Sequence, residues 1–76
     1  MKTAMYLLTR NAYYGYETTE SSVVVAAATE EALREYVAAL GYTEWQDQVC
    51  VISVQDDGYG QVVGEEYYEI TSVVLL

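Results

Sequence analysis

The sequence has no histidine, no proline and no phenylalanine, and it carries one cysteine and three basic residues against twelve acidic ones. Each scarcity removes a class of function. Without histidine, no side chain has an ordinary pKa near neutrality, so general acid–base chemistry and Ser–His or Cys–His pairs lack their usual source. Ser21, Ser22, Ser53 and Ser72 sit in no G-x-S-x-G elbow. The lone Cys50 can make neither an internal disulfide nor a paired-thiol zinc site within one chain. Set among Val49, Val51 and Ile52 with no cation beside it, it reads as a buried structural thiol. No G-x-x-x-x-G-K-[ST] loop occurs, and Gly58-Tyr59-Gly60 is too short to cradle phosphate. The expectation is a protein that is no enzyme, holds no cofactor and ligates no metal. Asp56, Asp57, Glu65 and Glu66 match no EF-hand spacing and read as a solvated turn.

Scarcity of Lys and Arg also bears on partners. Lys2, Arg10 and Arg34 stand alone against a formal charge of −9. Nucleic-acid phosphates and anionic membranes both demand basic residues, so direct contact with either is disfavoured. Such charge keeps a chain dispersed and steers it toward a basic protein surface. No apolar run approaches the roughly 20 residues that span a bilayer. Lys2 is followed by too little uninterrupted apolar sequence for a secretory signal, and the expected location is cytoplasmic.

What is present argues for a folded domain. An apolar fraction of 53% is too rich for a disordered acidic tail, and 76 residues give one domain, 1–76. Lys2–Thr9 reads as a largely buried strand, and Arg10–Glu20, with Asn11 and Gly15, as a long tyrosine-rich connection. Ser21–Ala27 reads as a second strand on its β-branched centre. Thr29 then offers an N-cap oxygen, Glu30 and Glu31 suit the first turn of a helix, and Gly41 suits its C-terminal stop. Between them Leu33, Tyr36, Val37 and Leu40 form one apolar stripe. Val49–Val54 reads as a third strand, ended by Asp56-Asp57-Gly58, and Glu66–Leu76 as a fourth, with Val62-Val63 able to extend that hairpin. On the fourth, Tyr68, Ile70, Ser72, Val74 and Leu76 share the side expected to meet the helix. The fold class is α+β: a four-stranded, mainly antiparallel ββαββ sheet with one helix packed on one face.

Two features mark candidate binding residues. Nine tyrosines stand where phenylalanine is missing; Tyr6, Tyr36 and Tyr68 suit the core, whereas Tyr13, Tyr14 and Tyr16 cluster around Gly15 beside Glu17 and Glu20. Rigid amphipathic rings next to acids are the composition of a protein-binding patch. Asp56, Asp57, Glu65 and Glu66 flank the second hairpin, with Tyr59 and Tyr67 joining if the hairpins lie side by side. Residues two apart on a strand are separated by about 6 to 7 Å, close to the step between phosphates on one DNA strand, so strand-borne carboxylates can imitate a phosphate row.

In its size, its strand leading into a short helix that starts T-E-E-A (Thr29 to Ala32), and its carboxylate excess, the chain resembles the small acidic anti-CRISPR proteins that phages encode. The resemblance implies a DNA mimic that fills the Lys- and Arg-lined groove of a ribonucleoprotein, a type I (Cascade) surveillance complex, inside a host bacterial cell. Two alternatives use the same residues. One is an inhibitor of another nucleic-acid enzyme. The other is an assembly subunit that self-associates along Glu66–Leu76, so monomer and homodimer are both open.

Overall fold

A computed structural model describes the backbone of residues 2–15 and 18–75, and the side chains of these except residues 2–4, 18, 19 and 75. Two hairpins flank one helix. Strands β1 (Lys2–Tyr14) and β2 (Thr18–Ala27) form the first, α1 spans Glu30–Ala39, and β3 (Val49–Asp56) with β4 (Val62–Leu75) forms the second. All pairings are antiparallel and the strand order is β2-β1-β4-β3. The hairpins join along β1 and β4, whose register runs from Lys2↔Leu75 to Tyr14↔Gly64. The fold is α+β.

The first hairpin is longer than its sequence suggests. Arg10–Tyr14 and Thr18–Glu20, expected in a loop, continue the strands, because β4 supplies cross-strand partners as far as Gly64. Asn11 is therefore a strand residue, 7% exposed, whose Nδ2 donates to Thr9 Oγ1 at 3.2 Å. Strand β4 lies inside the sheet, with β1 on one side and β3 on the other from Val62 to Glu69. Self-pairing along Glu66–Leu76 is thus blocked over the first part of that segment; Leu76 lies outside the described residues.

The core occupies one half of one sheet face. Leu8, Tyr68, Ile70 and Cys50 share that face by register, and Leu33 and Val37 of α1 close over them. Tyr6, Val25, Ala27, Trp45 and Ile52 pack around the rim. The wider helical stripe is not realised: Tyr36 and Leu40 are 43% and 51% exposed. Residues three apart on a helix diverge by about 60°, which turns Tyr36 off the contact row, and Leu40 is the C-cap where the chain leaves the sheet.

Helix α1 ends as its sequence dictates. Thr29 Oγ1 accepts from Ala32 N at 3.2 Å, and Gly41, at φ 102°, donates to Ala38 O at 2.9 Å. That positive φ favours glycine, which has no Cβ to clash. Arg34 pairs with Glu30 at 3.9 Å, sits 4.6 Å above the Trp45 ring and donates to Asp47 O at 2.7 Å. One guanidinium thus ties the helix to the connection that leads into β3.

Cys50 is fully buried, and burial pushes its thiol pKa up. The native protein should leave Cys50 unreactive toward a disulfide reagent at neutral pH, with full reaction once urea unfolds the chain. Rapid modification of the native form would contradict this packing.

Candidate protein-interaction surface

Both hairpins turn at the same end of the sheet, away from the core. Gly15 N donates to Val63 O, so the two tips lie side by side. The β3–β4 tip is built by its aspartates. Asp56 Oδ1 accepts from Gly58 N at 2.9 Å, and Asp57 Oδ1 accepts from Tyr59 N at 2.8 Å and Gln61 N at 3.2 Å. These bonds lift Tyr59 clear of the body, leaving it 94% exposed. Gly64, behind the tip, allows close approach: a Cβ there would meet Tyr13 O at 3.1 Å and Tyr14 Cδ1 at 3.2 Å.

The sheet sorts the candidate residues onto two faces. Tyr14, Glu20 and Glu66 share the face that carries α1 but lie beyond the helix, around a shallow cavity of about 230 Å³ whose wall includes Arg10 and Ser22. Glu20 and Glu66 occupy one rung on either side of Ala12, about 10 Å apart at ordinary strand spacing. Tyr13 and Glu65 point to the opposite face. The expected cluster of Tyr13 and Tyr14 therefore does not form, because adjacent strand residues alternate sides. Tyr16 and Glu17 lie outside the described residues. Nor does any described strand carry carboxylates two apart: Glu65 and Glu66 are adjacent and point apart, and Glu69 is four from Glu65. A phosphate-like step along one strand is absent from the described residues.

Glu66 is the most engaged acid. Tyr14 Oη donates to its Oε1 at 2.6 Å, and Arg10 Nη2 pairs with its Oε2. The Tyr14 hydroxyl first, then Arg10, holds the Glu66 carboxyl below its ordinary 4.5. The same bond raises the Tyr14 phenol above its ordinary 10.0, and Glu66 raises Arg10. The depressed carboxyl contributes stability that is present above pH 4.5 and is lost as pH falls through the lower folded value. The raised phenol contributes stability present below pH 10.0 and lost as pH rises through its folded value. Tyr14→Phe should move the Glu66 titration upward in carboxyl-detected NMR. An unmoved Glu66 would show that the hydroxyl does not govern it.

The described side chains hold two ion pairs, Arg10–Glu66 and Arg34–Glu30. Glu20, Asp56 and Asp57 are exposed and have no cation in contact among the described side chains. Sequence reasoning passed over Arg10 and Asn11, which it placed in a loop. The alternation of Arg10, Ala12 and Tyr14 against Asn11 and Tyr13 was the available signal. Among the described residues, no three His, Cys, Asp or Glu side chains are grouped to share a metal ion. No described helix is long and apolar enough to cross a membrane. No family model matches the chain, and neither a curated protein nor a solved structure matches it significantly.

Proposed function

We propose that the chain is a non-catalytic acidic inhibitor that docks its hairpin end on the basic, nucleic-acid-binding surface of a partner protein. The observation that carries this reading is the common direction of the two hairpin turns. It gathers Glu20, Asp56, Asp57, Glu65 and Glu66 at one end of the sheet, where Arg10 is the sole described cation and is already paired with Glu66. Exposed acids without cationic partners attract a basic surface over a Debye length of about 8 Å at physiological salt, and Tyr59 offers an exposed ring to anchor the encounter.

With no phosphate-like step along a described strand, the proposed docking rests on the pooled charge of the hairpin end rather than on a copied phosphate row. The resemblance to anti-CRISPR proteins makes a type I surveillance complex the first target to assay, cytoplasmic in a bacterial host. Association with that purified complex, followed by surface plasmon resonance over a salt series, should weaken steeply as ionic strength rises. Undetectable binding at low salt would exclude this target, and salt-independent binding would exclude the electrostatic mechanism.

A further inference from the structure

The sheet face opposite α1 is covered by no described element, yet much of it is apolar. By register it carries Met5, Val23, Val51, Val54 and Val63, which are 37% to 61% exposed, together with the half-buried Leu7 and Tyr67. Apolar side chains gathered on one exposed face mark an interaction site more often than singly scattered ones do. Thr9, Asn11, Ser21 and Thr71 divide it, and two carboxylates stand on it. Glu65 and Glu69 stand on β4 on either side of Tyr67, about 13 Å apart at strand rise. The described basic side chains, Arg10 and Arg34, both belong to the α1 side.

Charge selects the occupant. A second copy would bring another net −9 against this face, together with its own Glu65 and Glu69. The molecule's extents of 46 and 26 Å set an upper bound of about 1,200 Å² on the face, which does not exclude the roughly 800 Å² that one partner contributes to a standard interface. Helix α1 shows what the sheet accepts on its other side, two apolar residues one turn apart, Leu33 and Val37.

We propose that the open face docks a cationic amphipathic helix of a partner protein, its apolar stripe seated on Leu7, Val51, Val54 and Tyr67 and its Lys or Arg residues reaching Glu65 and Glu69. At a helical rise of about 1.5 Å and about 100° per residue, basic residues seven or eight apart stay on one side of the helix and span about 10.5 to 12 Å, within side-chain reach of the two acids, with an apolar residue on the turn between. Docking there completes an α-β-α sandwich. This rests on the cationic-partner reading above and assigns its contact: the hairpin-end acids steer, and the open face holds.

Two synthetic Leu/Lys peptides of identical composition test this, one ordered as an amphipathic helix with that lysine spacing and one scrambled to have no apolar face. Each is titrated into the isotopically labelled chain at physiological salt and followed by amide NMR. The amphipathic peptide is expected to bind at least tenfold more tightly, with shifts centred on Leu7, Val51, Val54 and Tyr67. Glu65→Gln with Glu69→Gln should weaken it several-fold, and Val54→Asp, at a position exposed enough to leave folding intact, should abolish the preference for the ordered peptide. Equal binding of the two peptides, or shifts confined to the hairpin tips or α1, would overturn the face assignment while leaving the cationic-partner reading intact. Self-association through Val51 and Val54 would also overturn it. If neither peptide bound, both readings would fall.

Discussion

Replacing Leu8 with alanine should remove a large fraction of the folding free energy at 25 °C. Leu8 is wholly buried at the centre of a core confined to one half of one sheet face, where it meets Leu33, Val37 and Ile70. Leu→Ala in such a site costs about 2 to 5 kcal/mol through lost transfer energy and the cavity left behind. A domain of this length has about 4 to 11 kcal/mol in total. The far half of the sheet has no helix over it and cannot compensate. Thermal unfolding followed by circular dichroism should show Tm lower by roughly 8 to 40 °C, at about 4 to 8 °C per kcal/mol. Leu40→Ala, at an exposed cap position, should stay within about 0.5 kcal/mol of the parent. Equal losses at the two positions would contradict the one-sided core.

Neutralising Glu20, Asp56 and Glu65 together, as Gln, Asn and Gln, should slow association with a basic partner about ten- to a hundredfold with little change in Tm. These three are chosen because the structure separates acids that are available from acids that are used. Asp57 braces its turn through two backbone N–H groups, and Glu66 holds Arg10 and Tyr14, so charge reversal there disturbs the hairpins as well as the field. Asp56→Asn keeps an acceptor for Gly58 N. Stopped-flow association rates measure the effect directly. An unchanged rate would mean that the hairpin end does not steer the encounter.

The helix was legible almost to the residue, because its stop and start signals are local: Thr29, the Glu30–Glu31 pair and Gly41 act within one turn of where they stand. The third strand and its Asp-Asp-Gly turn were legible for the same reason. Arg10–Tyr14 was not, since its extended form depends on a ladder to residues 64–68, fifty or more positions away, and locally Asn11 and three nearby tyrosines look like a turn. The strand order was also hidden, and with it the placement of β4 inside the sheet, because nothing in one strand names its neighbour.

For the surface residues, sequence supplied the inventory and the sheet supplied the grouping. Proximity along the chain suggested Tyr13 beside Tyr14, but pleating sends them to opposite faces. Pairing then joined Tyr14 to Glu66 from the other hairpin. Even the helical stripe was overstated, since one row of contacts reaches Leu33 and Val37 and leaves Tyr36 outside.

Target-DNA occupancy of a type I surveillance complex tests the central claim most directly. The complex, saturated with this chain at low salt, is challenged with labelled target duplex, and the bound species are resolved by size and label. The account predicts two exclusive complexes, with protein and DNA displacing one another and the exclusion fading as salt is raised. A stable ternary complex carrying both at full occupancy would contradict it.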